Sequence, residues 1–211
     1  MKRKIKPLIY VFCEGESEIA YTNCLKKKFA DVAVIKKPVK GLFTEADSKF
    51  KKEARYRNSA ELTDEIWFFF DVDHGQSGSY HRNYKIIQTL RKLRKHPEPV
   101  RVRLLMTTGC IEYWFLLHYE KTRPAVLSIA EKEKMEKQLK KHVPLYEKGD
   151  MDATREIASH MDMGVIHGEW ALKQIEDIPV LEDNDIRNQW LYECTETFTT
   201  VQEAIQYLEK L

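Results

Sequence analysis

The chain has 211 residues, 32% charged and 43% hydrophobic, with a formal net charge of +2. That is the composition of one domain of generous size, or one domain with a small appendage, able to hold a core without disulfides or structural metal. It excludes a disordered chain, and the longest apolar runs, such as Ile66-Trp67-Phe68-Phe69-Phe70, fall far short of a membrane span.

Met1 to Lys6 is basic, without the apolar stretch and small-residue cleavage site of a signal peptide. Pro7 to Cys13 (PLIYVFC) is apolar, β-branched and aromatic, and predicts a buried strand that stops at Glu14-Gly15-Glu16-Ser17-Glu18. A helix follows, with Ile19, Tyr21, Cys24, Leu25 and Phe29 inward and Lys26-Lys27-Lys28 outward. Val32 to Ile35 reads as a further short strand and residues 44–60 as a polar helix. Ile66 to Phe70 predicts another buried strand, ended by Asp71-Val72-Asp73-His74-Gly75 and a Gly/Ser loop. An amphipathic basic helix over 80–95 precedes an alternating strand at Val100 to Met106, a turn at Thr107-Thr108-Gly109, and a buried helix over 111–119. Helices are expected over 128–141, 150–162 and 164–176, and a last one opens on a capping box, Thr200-Val201-Gln202-Glu203. Strands alternating with helices over residues 7–120 give an α/β fold with a parallel sheet. The expected division is an α/β core at 1–120 and a mainly helical extension at 121–211, packed on or beside it.

Charge is graded along the chain. Residues 1–60 carry 15 Lys/Arg against 7 Asp/Glu, residues 61–146 carry 15 against 11, and residues 147–211 carry 5 against 15. A basic front is the electrostatic footprint expected for a polyanion, although solvated helix faces produce the same statistic. Cys13, Cys24, Cys110 and Cys194 form no CxxC pair, which excludes a zinc ribbon and points to a reducing, cytoplasmic compartment.

Both buried strands run into acidic clusters at their carboxyl ends, the functional edge of an open α/β sheet. Asp71 and Asp73 alternate along extended backbone and point the same way. Glu14 and Glu18 are four apart across a turn into a helix and can share a side. Convergent carboxylates repel one another unless a cation neutralises them, and hard oxygen donors select Mg²⁺ or Mn²⁺. Taken singly, Glu14 also reads as a helix N-terminal carboxylate, and Asp71 and Asp73 as turn residues. Glu112, inside an apolar helix, either assists that metal or forms a buried ion pair with Arg101 or Arg103. His118 reads as a core histidine or a catalytic one; six residues separate it from Glu112, so the two do not share a helix face. His74 is a candidate proton shuttle or a loop histidine, and Lys148 and Arg82 are candidate phosphate clamps.

The series Cys13-Glu14-Gly15-Glu16-Ser17-Glu18, then Phe70-Asp71-Val72-Asp73, resembles the TOPRIM signature: a Glu ending the first strand and an Asp-x-Asp ending a later one. With Cys110-Ile111-Glu112-Tyr113-Trp114-Phe115-Leu116-Leu117-His118 and a later Tyr146/Lys148 stretch, the chain resembles the RloB-like proteins over nearly its whole length. The resemblance implies a TOPRIM-like sheet and a metal-dependent nuclease linked to bacterial antiviral defence. Topoisomerase relatives need a catalytic tyrosine in a separate domain, for which a chain of this size has little room, and primase relatives usually carry a zinc module, which the four cysteines do not provide. On this reading Glu14, Asp71 and Asp73, with Glu18 in support, hold Mg²⁺ (or Mn²⁺), and Glu14, Asp71, Asp73, Glu112 and His118 carry the chemistry. The expected partner is nucleic acid, RNA or tRNA before DNA, and a protein from the same defence locus is a further candidate. The alternative is a non-catalytic TOPRIM-like module that binds a nucleotide or a partner protein.

Overall fold

A computed structural model describes residues 6–52, 62–73, 79–94 and 98–211. The strands are β1 (Leu8–Cys13), β2 (Val34–Ile35), β3 (Val39–Lys40), β4 (Glu65–Val72) and β5 (Arg101–Thr108). Helices α1 (Glu16–Lys28), α2 (Phe43–Lys52), α3 (Ser79–Arg91) and α4 (Ile111–Leu116) alternate with them. Then come α5 (Ile129–His142), α6 (Met151–Ser159), α7 (Met161–Lys173), α8 (Asp185–Glu193) and α9 (Val201–Glu209). His74, the Gly/Ser loop before Ser79 and the rest of the helix expected to reach residue 60 lie outside the described residues.

All five strands are parallel. β1 is central, with β2 and β3 on one side and β4 then β5 on the other. Parallel strands bury both faces, which is why β1 and β4 are apolar without a break. Alternation sorts their side chains into two layers. Val11, Cys13, Trp67, Phe69 and Leu105 face α1, α4, α5, α6, α7 and α9. Phe12, Phe68, Phe70, Leu104 and Met106 face α2, α3 and α8. Residues beyond 121 thus contribute to both layers, Leu139 and Ile205 to the first and Leu172 and Leu191 to the second.

Two local readings need correction. Thr200 does not cap α9 with its side chain. Its hydroxyl bridges β5, donating to Leu104 O (2.8 Å) and accepting from Met106 N (2.9 Å), while Glu203 is bound by Arg187. The residues before α9 run antiparallel along β5, with Thr199 bridged to Thr107 and Thr108 N donating to Phe198 O at 3.0 Å. An edge strand's free amides and carbonyls outcompete a helix cap for that threonine, and the sheet edge is covered in the process. The helix over 111–119 ends regularly at Leu116; its last turn tightens, His118 N donating to Phe115 O at 3.1 Å.

Candidate metal centre

The register puts the carboxyl ends of β1, β4 and β5 side by side. Cys13 lies opposite Phe69, and Asp71 opposite Thr107. Glu14 continues the β1 ladder through its own amide, which donates to Phe69 O at 3.0 Å, and its Oε2 accepts from Asp71 N at 2.9 Å. Past β5 the chain turns at Gly109, where φ is +77° and a Cβ would lie 2.5 Å from Val126 O. Only glycine fits there, and the turn brings Cys110 and Glu112 to the same edge. Glu14, Asp71, Asp73, Cys110 and Glu112 line one cavity of about 320 Å³, whose lining is completed by Lys132, Glu133 and Glu136 of α5 and by Lys148.

The carboxylates differ in how they are satisfied. Glu14 is exposed; Asp73 is half exposed and pairs with Lys132 Nζ at 2.5 Å. Glu112 is buried and accepts from Tyr146 Oη at 2.8 Å, with Lys148 Nζ at 3.7 Å. Asp71 Oδ1 is buried and has no hydrogen-bond partner among the described residues. Burial, reinforced by Glu18, Glu14 and Glu112, pushes the Asp71 carboxyl well above the usual carboxylate range, with Lys132 opposing. Burial, then Glu14 and Glu112, pushes Glu18 up to about 7 although backbone amides favour its charged form. The Cys110 thiol is pushed up by burial, Glu112 and Asp71. The Glu112 charge holds the Lys148 ammonium above its ordinary range.

These observations fit a hard divalent cation. The donors are oxygens, one buried carboxylate oxygen has no partner among the described residues, and lysine ammonium groups already stand at Asp73 and Glu112 where a cation lowers the energy. Among the described residues no three His, Cys, Asp or Glu side chains close into a ready coordination set. The cavity of about 320 Å³ has room for a partly hydrated ion, since a water's share of liquid volume is about 30 Å³.

Glu18 sits beneath the cavity. It is 3% exposed, and its Oε2 accepts from Gly15 N at 3.0 Å, so it caps α1 and adds negative field from below. The buried Arg partner that the sequence allowed for Glu112 is not made: Arg101 pairs with Asp183, and Arg103 with Glu65 and Asp183. His118 is not brought to the cavity. It lies in the core, where its Nδ1 is 2.9 Å from Trp114 O and its Nε2 3.0 Å from Tyr21 Oη, and burial lowers it to about 3. Arg82 is exposed on α3. Within the basic front, Lys49 is turned inward at 6% exposure. Lys132 escaped the sequence reading because a uniformly charged helix has no periodicity that marks one lysine. Cys110 stood in a recognised motif but had no assigned role.

A strap holds the Lys148 side. Gly149, at φ +79°, donates to Ser17 Oγ at 3.1 Å, and that hydroxyl is 3.4 Å from Tyr146 Oη. The segment Tyr146–Gly149 is thereby tied to the start of α1 and to Glu112.

A family model of the RloB-like proteins matches residues 9–208. The chain belongs to the RloB-like protein family. No curated protein matches it. In this RloB-like chain the CIEYWFLLH segment does two jobs: Cys110 and Glu112 line the cavity, while Tyr113, Trp114, Phe115 and His118 are buried beneath it. Among the described residues no helix is long and apolar enough to cross a membrane.

Proposed function

We propose that this RloB-like protein is a Mg²⁺- or Mn²⁺-dependent nuclease with a TOPRIM-like site, cleaving phosphodiester bonds of RNA, tRNA before DNA, in bacterial antiviral defence. The observation that carries the reading is the buried Oδ1 of Asp71, without a hydrogen-bond partner among the described residues, at an edge shared with Glu14, Asp73 and Glu112. Burying such a group without a partner costs free energy, and proteins accept that cost where a ligand supplies the partner. Glu14, Asp71 and Asp73 would hold the ion. A divalent ion there supplies charge neutralisation at the scissile phosphate and a more acidic bound water. Glu112, oriented by Tyr146, stands where it accepts a proton from a water in the cavity. Lys132 and Lys148 offer two ammonium groups to phosphate oxygens. The preference for RNA and the defence role rest on the family resemblance.

A second reading, a nucleotide- or partner-binding module without catalysis, is favoured by one observation: both lysines already pair with cavity carboxylates. The experiment that separates them is incubation of the pure protein with labelled tRNA, single-stranded RNA and DNA in Mg²⁺, Mn²⁺ or EDTA. Cleavage is expected with metal only. Asp71→Asn and Asp73→Asn should each lower it by about a thousandfold, the several kcal/mol a metal contributes to a transition state, and should weaken Mn²⁺ binding in calorimetry. Full activity in the double variant ends the nuclease reading; Mn²⁺ binding without cleavage of any strand favours the second.

A further inference from the structure

The carboxylates at the sheet edge have two sides. Lys132 and Lys148 stand across one. On the other, Glu14 and Asp71 also line a second pocket of about 290 Å³, shared with Phe43, Phe70, Asn83 and Tyr192. Thr44 stands at its mouth, exposed.

That pocket has a built aromatic wall. Phe43 and Phe70 are buried, at 5% and 3% exposure, with ring centroids 5.7 Å apart edge to face. Tyr192, half buried, leans on Phe70 (6.2 Å) and on Tyr80 (5.4 Å). Its helix is fixed in turn: Asp185 of α8 takes two hydrogen bonds of 2.7 Å from Arg91 of α3 and one of 3.2 Å from Tyr84. Asn83, half buried, adds an amide, and Thr44 a hydroxyl, which together both donate and accept.

We propose that this pocket receives one unpaired nucleobase of the strand whose phosphate lies over Glu14 and Asp71. The proposal rests on the nuclease reading above and adds to it how the strand is seated. The size is at the small end of ligand pockets, which suits a single base. The half-buried Tyr192 ring, backed by the buried Phe70 and Phe43, suits a π-face, since bases splayed out of single strands and loops stack on aromatic side chains. The polar pair suits a base edge. A duplex keeps its bases stacked and paired and cannot fill the pocket, so the substrate is a single strand, loop or bulge.

The test is a binding measurement with Ca²⁺ in place of Mg²⁺. A fluorescein-labelled single-stranded octaribonucleotide is titrated by anisotropy, alongside a set each carrying one abasic position. Wild type should lose affinity at one position by roughly five- to hundredfold, the usual contribution of one base stacked on an aromatic ring. Tyr192→Leu should lose the same factor on the intact strand and nothing further on that abasic strand. Asn83→Ala, on a partly exposed helix face, should show the same position-specific pattern at roughly threefold, which keeps the test intact if Tyr192→Leu fails to fold. Losses that add between variant and abasic site would overturn the pocket. So would variants that bind like wild type, or a wild type that binds no strand. Mn²⁺ binding by calorimetry is read on the same samples. It should survive Tyr192→Leu and Asn83→Ala and fall in Asp71→Asn, so the metal reading and the base pocket fail separately.

Discussion

The two ends of one sheet treat buried charge in opposite ways. At the amino-terminal end Glu65, 4% exposed, accepts from Trp67 Nε1 at 2.5 Å and from Arg103 at 3.3 Å through each oxygen. Arg103 also lies over the Tyr207 ring at 4.9 Å. Beside it Arg187, fully buried, grips Glu203 with two hydrogen bonds of 2.6 and 2.9 Å. Against its own burial, Asp183 is held below the usual carboxylate range by Asn188, Arg187 and Arg103. At the carboxyl end Asp71 and Glu18 are held above that range, by burial and by the neighbouring carboxylates, Glu18, Glu14 and Glu112 acting on Asp71 and Glu14 and Glu112 on Glu18. The first arrangement joins β4 and β5 to the later helices. The second gathers carboxylates whose charged forms are unfavourable, which a proton or an added cation relieves. Buried carboxylates alone therefore do not mark a site; carboxylates whose countercharge is missing do.

The largest effect that would break this contrast is on stability. Arg103→Met leaves Glu65 charged and uncompensated in the interior and should cost about 3–5 kcal/mol. Adding Glu65→Leu should return most of it. Asp71→Asn instead removes a carboxyl whose ionised form burial and its acidic neighbours disfavour, and in EDTA should raise stability by about 1 kcal/mol. Urea melts of the four proteins at neutral pH check both signs. An Asp71→Asn protein destabilised as much as Arg103→Met would show that the carboxyl end is compensated after all.

The amino-terminal network was the less legible end. The strands were readable because β1 and β4 are continuous apolar runs, and the acidic edge because Glu14, Asp71 and Asp73 follow those runs directly. The network depends on partners 38 residues apart (Glu65 and Arg103) or 16 apart (Arg187 and Glu203), and no local period announces such pairs. Helix α8 went unseen for a related reason: Ile186 is exposed while Arg187 and Asn188 are buried, which inverts the usual pattern. β3 has only two residues, too few to show alternation. The Thr200 cap failed because a tertiary contact with β5 overrode a sound local motif.

His118 sharpens the comparison from inside the layer that the cavity overlies. Its folded value of about 3 lies below the ordinary 6.5, with burial as the main cause. Between those values the unfolded chain binds the extra proton and the folded one does not, so stability falls as pH falls through that window. The loss attributable to this one group should be about 2 kcal/mol at pH 5. His118→Gln should show a correspondingly flatter stability profile from pH 7 to 5, read by urea melts. If the residue serves only packing, the variant, where folded, should cleave within a few-fold of wild type at pH 8. A loss of about a hundredfold in a folded variant would return His118 to the chemistry.

The smallest effect concerns Lys132. Its ammonium pairs with Asp73 at 2.5 Å, and the two side chains are 32% and 49% exposed. A partly solvated pair of this kind contributes about 0–1 kcal/mol. Ammonium and metal ion compete for the same carboxylate, so Lys132→Gln should tighten Mn²⁺ binding by up to about fivefold, the equivalent of about 1 kcal/mol. Salt screens the pair, so the difference between variant and wild type should shrink as ionic strength rises. Strand affinity should move the other way, weakening as one phosphate contact is lost. Unchanged Mn²⁺ affinity with weakened strand binding would make Lys132 a phosphate contact only. The acidic end would then carry its missing countercharge on the substrate side as well as the metal side.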